Sequence, residues 1–574
     1  MGLFSFLDRS RKRSVHSRRE SSQESTDKIM NQRTQEPEST AAQKLTPEAG
    51  ALLKVLSIFY CDGIPEKLLI EGARYVHLKA YPKTMLDYEK ARDELLRHTF
   101  VGRNSEKTEL GIHKLMQDVV RKKMDEEELH TLYDIGISLI SAVWPLTTFE
   151  TRNKVWRWPI LEACLPHVTQ LKEHYDVSYE NRVERASTEA AILFNDAAWY
   201  QIERGCAEAT ISFVLLSQAI MKNTKDIKEN PASKRRNSKI KGDSHQYAAI
   251  AAHLQGKGSV AMKECKHWME VVVDRISQSG DLEDSTIEMG MLYNNTAVSH
   301  IMKKETDKAI QTWKLSYTAF QNAGTWQNLS TTWPAINLGI VYSQIGKPDE
   351  GEAILRPVLK AREAVLGQDD QTSSESGAAW RAMGHVLVAQ GKHDEGLEFY
   401  QRALKNLTVT LGETHYQTAD CKYNIANGLI RLGKNEEAIA LLDQAIMTYK
   451  SSTWRISSAA RALWKKSRAL QAMGNTTEAA EFVSQALRLL SYLYLPTNKL
   501  EKFVDEDWDT LVWLYCSGAR EQPGGRQTLL GPTTEPSGRP RSQRVKFLWR
   551  PAGRRPTGLK GVIGSDGLCG HYVD

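Results

Sequence analysis

Nine residues ahead of each of six recurring turn positions stand Asp196, Asn295, Asn337, Ala382, Asn424 and Lys465, so four of the six places in this column carry a short polar side chain. Carboxamides set at a fixed interval along helices can hydrogen-bond the backbone of an extended peptide and hold it without reading its side chains. The same amides can instead brace neighbouring helices, and the sequence leaves both readings open. Arg381, His385, Asn427, Arg431, Arg461 and Arg468 lie close to the column toward its C-terminal end. Their positive charge favours an acidic segment, although a solvated helix face accounts for the same charges. A lone histidine such as His385 also fits a plain polar surface position.

Nothing else in the chain has the spacing of a reacting centre. There is no HExxH, GxSxG, calcium-loop or CxxC string, and none of the fifteen histidines pairs at i, i+4 with a second ligand in a convincing site. No catalytic residue, metal, cofactor or small-molecule substrate is therefore expected. Gln255-Gly256-Lys257-Gly258-Ser259 echoes a phosphate loop but lacks its first glycine and the Lys-Ser/Thr adjacency, and it reads as part of a repeat. The fourteen tryptophans mostly fall in or beside packing columns, which favours core duty over base stacking. Seven cysteines scattered singly read as reduced thiols in a cytoplasmic or nuclear protein. No apolar run approaches the roughly 20 residues of a membrane-spanning helix.

Net charge is +6 over 574 residues, and its distribution matters more than its sum. Residues 519–574 contribute +6 and residues 1–46 contribute +3, leaving the middle near −3. The basic balance thus belongs to two tails expected to be disordered: the first is polar and basic, and the second holds ten Gly and six Pro in 56 residues. The arginines between Arg9 and Arg19 could serve as a nuclear address or a membrane-surface anchor, but a solvated tail is the simpler reading.

The elements that must position the polar column are helix pairs. Gly346, Gly391, Gly433 and Gly474 recur at spacings of 45, 42 and 41 residues. Five residues after each stands a small residue, Gly351, Gly396, Ala438 or Ala479, followed by Leu355, Tyr400, Leu442 or Val483. Small residues at a fixed place let two helices cross closely. Stepping upstream reaches turn positions Lys304 and Gly205, with a degenerate repeat between them and a polar insert at 223–244 that can loop out. The expected fold is all-α: a superhelix of about seven helix pairs over 186–495, a capping helix at 496–518 built around Trp508, and a helical connector at 126–185. Residues 47–125 differ. Three helical patterns followed by extended runs at Thr99–Val101 and Glu109–Ile112 predict a winged helix with a short β-hairpin. Leu115, Val119 and Val120 should face its core. DNA binding is unlikely because Asp87 to His98 mixes four acidic with four basic residues.

Trp380, Met383-Gly384, Gly391, Gly396, Tyr400 and Ala403 resemble the signature of tetratricopeptide repeats, and the long period with the Leu411-Gly412-Glu413-Thr414-His415 connector is similar to the 42-residue variety of kinesin light chains. Leu52–Ala73, Ile112–Val120 and Trp156–Tyr175 resemble the segment between the NB-ARC or NACHT ATPase and the repeats of fungal STAND signalling proteins. In plant-receptor relatives a Met-His-Asp motif sets its His against nucleotide, whereas Ile112-His113-Lys114 keeps only the His. No GxxxxGK[ST] string occurs. The resemblance implies a non-catalytic scaffold that binds a protein or peptide, or the regulatory C-terminal half of a nucleotide switch whose ATPase is supplied elsewhere.

Overall fold

The computed structural model describes residues 45–148, 151–175, 180–223, 230–279, 283–323, 332–491 and residue 508. Residues 1–44 of the first tail, the whole second tail, and the capping helix apart from Trp508 lie outside the described residues.

Thr46 caps α1 (Pro47–Leu56), whose Leu52, Leu53, Val55 and Leu56 are all buried. After β1 (Ile64–Pro65) come α2 (Glu66–Glu71), α3 (Met85–Arg97), β2 (Val101–Arg103), β3 (Glu109–Ile112) and α4 (Lys114–Lys122). This is the winged-helix order, with one addition to the expected hairpin. Ile64 pairs with Leu110 on the free edge of β3, making the sheet three-stranded in the order β1-β3-β2. Two residues carry too short a pattern to announce a strand. The buried face of α4 also differs from expectation: Leu115 is exposed, and Met116, Gln117 and Val120 point inward. Gln117 explains the rotation, because its amide Nε2 donates to the carbonyls of Leu56 and Phe59 at 3.1 and 2.9 Å.

The connector holds α5 (Glu126–Val143), α6 (Trp158–His174) and α7 (Glu180–Arg185). Between α5 and α6, the described residues 144–148 and 151–157 hold no α-helix, only a 3-10 turn at Val155–Arg157.

Seven helix pairs of the tetratricopeptide type follow: α8 (Thr188–Glu203) with α9 (Ala207–Asn223), α10 (Pro231–Leu254) with α11 (Gly258–Ser279), α12 (Glu283–Met302) with α13 (Thr306–Asn322), α14 (Thr332–Gln344) with α15 (Pro348–Leu366), α16 (Ser374–Ala389) with α17 (His393–Leu411), α18 (Tyr416–Arg431) with α19 (Asn435–Lys450), and α20 (Ile456–Ala472) with α21 (Thr476–Ser491). One hydrogen bond repeats at every turn. The N–H after the turn residue bonds the carbonyl five positions earlier, from Cys206 to Gln201 through Asn475 to Leu470, at 2.8–2.9 Å. That closure puts the turn residue in the left-handed region, where glycine is at ease. Lys304 takes it at φ +62°, the expected turn position without glycine.

The crossing column behaves as its small residues require. A Cβ on Gly351 would lie 2.9 Å from the Gly339 carbonyl oxygen, and one on Gly396 would lie 2.6 Å from a Val388 methyl. Ala309 and Ala438 are wholly buried in the same column. The polar insert is corrected. Asn230 caps α10 by accepting from Ser233 N–H, Pro231 follows, and Lys234-Arg235-Arg236 ride on the helix rather than a loop. Asn-Pro is a helix-start signal that outweighs the polar composition behind it.

Candidate interaction surface on the first helices

The first half of the polar column meets a segment of its own chain. That segment's described residues, 144–148 and 151–157, run as a strap along the first helices of several pairs. Asp196 on α8 accepts from Trp144 Nε1 at 2.7 Å, from the Thr147 backbone N–H at 2.7 Å and from Arg157 at 3.0 Å. Arg157 is wholly buried and also donates to the Pro145 carbonyl and the Thr147 hydroxyl, with Glu203 at 3.6 Å. Glu203 in turn accepts from Asn153 N–H, Trp158 Nε1 and Trp199 Nε1. Burial pushes its carboxyl up while Arg157 and these donors pull it down, and the balance stays above the ordinary carboxylate range.

Farther along, Arg152 reaches Gln246 and Tyr247 on α10 and Met291 on α12, with its guanidinium 4.8 Å from the Trp199 ring. Tyr247 occupies the polar-column place of the degenerate repeat, nine residues before Gly256. Asn153 Nδ2 donates to Glu375 on α16 at 2.8 Å, and Lys154 bridges Ser373. Glu375 is itself held by Arg362 and Trp333. The strap therefore touches α8, α10, α12 and α16. His415, which caps α18, closes the path: its Nδ1 accepts from Gln417 N–H, so Nε2 donates to the Glu203 carbonyl at 3.1 Å. Burial holds this imidazole down at about 3.

In the middle of the column the amide nitrogens bond within the repeats. Asn295 Nδ2 donates to Met291 O on its own helix at 2.9 Å, and Asn337 Nδ2 donates across to Asn294 Oδ1 on α12 at 2.9 Å. Both side chains are buried.

The last three pairs differ. Asn424 on α18 is 2% exposed, yet both Oδ1 and Nδ2 of its amide have no hydrogen-bond partner among the described residues. Asn427 Oδ1, one turn on, is in the same state. His385 on α16 is buried rather than a surface position; its Nδ1 lies 2.8 Å from the Tyr400 hydroxyl and its Nε2 has no described partner. Burial, then Arg381 and Arg461, hold it well below the ordinary histidine range and hence neutral. Arg461 on α20 is buried with its guanidinium 4.0 Å over the Tyr423 ring, and Arg381 is buried on α16. Lys465 is half-buried; Arg431 and Arg468 are exposed and interact with His393 and Gln471. Arg431 and Arg468 thus lie toward solvent, apart from the buried group. On the same helix Trp464 stacks on Trp508 at 4.9 Å with nearly parallel rings.

The sequence reading missed the strap and its anchors Arg152, Arg157, Tyr247 and Glu375, since every contact is remote along the chain. In the winged helix, Arg92 of α3 and Arg103 both bind Glu66, so these cations are already engaged within the domain. His113 is exposed and caps α4.

Models of the tetratricopeptide repeat match residues 335–372, 375–451 and 423–493, and a domain of unknown function (DUF7779) matches residues 40–129. No curated protein matches the sequence. Among solved structures, the chain is similar to a signal transduction ATPase with numerous domains and a tetratricopeptide repeat sensor from Pyrococcus horikoshii, at 12% identity and a TM-score of 0.36, over 80% of this chain and 66% of that one. A Rap protein complexed with competence and sporulation factor is similar at 9% identity and 0.43, over 66% and 93%. A putative kinesin light chain with nearly identical repeats, from Podosopora anserina, is similar at 18% and 0.30, over 35% and 94%. At such identities helix-pair packing alone accounts for the likeness, and function does not follow from fold. No helix among the described residues is long and apolar enough to cross a membrane.

Proposed function

We propose that this chain is a non-catalytic scaffold that holds an extended acidic segment of another protein on the first helices of its last three pairs, α16, α18 and α20. Asn424 carries the reading. A buried carboxamide with neither atom bonded forfeits roughly 1–3 kcal/mol per unsatisfied group, and a peptide N–H and C=O would repay both. Arg381 and Arg461 supply the positive field that selects carboxylates. The same column already serves this chemistry at Asp196, where the bound backbone belongs to the strap. We place the protein in the cytoplasm, with the nucleus as alternative.

The test is fluorescence anisotropy of full-length protein against a library of acidic extended peptides and their basic counterparts. Acidic peptides should bind, and Asn424→Ala should weaken them by about tenfold, the worth of one to two hydrogen bonds. Equal binding by the variant, or by the basic set, would sink the proposal. The order winged helix, connector, repeats supports a second reading, the regulatory half of a nucleotide switch. That reading requires a coding sequence for GxxxxGK[ST] in frame upstream or a separate ATPase that binds this chain.

A further inference from the structure

The geometry points to a divalent transition-metal site, of the zinc class, formed by His245 on α10 with Glu264 and His267 on α11. One ligand atom from each lies within 4.8 Å of the others, the only such group of histidine, cysteine and acidic side chains among the described residues. Two imidazole nitrogens and one carboxylate oxygen are a three-ligand set that leaves a fourth position to water.

Glu264 and His267 stand three residues apart on one helix, a spacing that puts both side chains on one face. The third ligand comes from the partner helix. His245 Nδ1 lies 2.7 Å from Glu264 Oε2, and the two imidazole rings are 5.3 Å apart. Gln218 Nε2 on α9 approaches the same Nδ1 at 3.3 Å. A metal would replace the proton shared between His245 and Glu264 and bring His267 into the same coordination sphere.

The two helices are fixed from behind. Cys265 and Trp268, beside the ligands on α11, are buried with Ala249, Val272 and Leu292, and a Cβ on Gly242 would come within 3.4 Å of the Trp268 ring. The triad itself is half-buried, so solvent reaches it. Cys265 is not in the group whose ligand atoms converge. Neutral imidazole with one carboxylate suits Zn²⁺, and Co²⁺ can report the same site.

Titration of the full-length chain with Co²⁺ should give visible absorption of a tetrahedral site, discharged by one equivalent of Zn²⁺. His267→Ala and Glu264→Gln should each weaken Zn²⁺ by about 100-fold or more, since even outer-shell losses cost 10–100-fold. Zn²⁺ should raise the melting temperature of the wild type and not of either variant, because it ties α10 to α11. Both positions are half-buried, and unchanged helical circular dichroism confirms folding. Absence of Co²⁺ absorption in the wild type, or Zn²⁺ affinity equal in wild type and Glu264→Gln, would overturn the assignment.

Discussion

Asp196 and Asn424 hold the same place in their repeats, nine residues before a left-handed turn, and they live in opposite circumstances. Asp196 has three donors, all from the chain's own 144–157 segment, whereas Asn424 has neither amide atom bonded among the described residues. Repeat position therefore fixes where a side chain stands, and a segment outside the repeats decides what it meets. Toward the N-terminal end the strap bonds the column. Toward the C-terminal end the polar group remains, set among arginines.

That contrast can be broken most forcefully at Arg157. Its guanidinium is wholly buried against Asp196 and Glu203. Arg157→Ala would leave two carboxylates without their cation, and breaking a buried pair of this kind costs about 3–5 kcal/mol. Denaturant unfolding should show that loss, with hydrogen exchange rising first in α8 and in the strap. A loss below about 1 kcal/mol would mean that the strap is only loosely held.

Ala438→Leu probes the frame that both halves share. It inserts three carbons where α19 crosses α18 at a wholly buried position, and overpacking typically costs about 1–3 kcal/mol. Because each pair is stabilised by its neighbours, exchange should rise in α16–α17 and α20–α21 as well, while the winged helix keeps its protection.

The seam where the two halves meet is sensitive to acid. His415 has its folded-state value held at about 3 by burial, against about 6.5 in the unfolded chain. A depressed histidine favours folding fully above the unfolded value. As pH falls below it, the unfolded state gains protons that the folded state refuses. By pH 6 the contribution lost is about 1 kcal/mol relative to pH 7.5. The stability difference between wild type and His415→Asn should shrink by that amount over this window, and a pH-independent difference would count against a neutral, donating His415.

These contrasts also mark what the sequence could convey. The turn period, the small residues at 351, 396, 438 and 479 and the winged-helix order were readable because each is local or periodic. Even Lys304, lacking glycine, was found by spacing. The face of α4 was misplaced because a polar Gln117 points inward to bond two carbonyls, against the hydrophobic pattern. The insert at 223–244 was misjudged on composition, although Asn230-Pro231 marked a helix start. The strap left no local sign at all: Asn153 and Glu375 are 222 residues apart. Whether a column amide braces, binds the strap or stands unbonded depends on such remote neighbours.

The smallest expected effect is the most telling for function. Asn424→Ala removes a buried amide that has no described partner, so unlike Arg157→Ala it takes away no bond among the described residues. Deleting an unsatisfied buried polar group is close to neutral or slightly favourable, since the desolvation already borne is relieved while a small void is left. The melting temperature should stay within the spread of ordinary surface substitutions, about ±0.5 kcal/mol, while affinity for acidic peptide falls. Asn337→Ala supplies the contrast inside the same column: it breaks the bond to Asn294 Oδ1, which keeps Trp313 Nε1 as a donor, and should cost about 0.5–1.5 kcal/mol. If the two variants destabilise equally, Asn424 is a brace like Asn337, and the difference between the two ends of the column disappears.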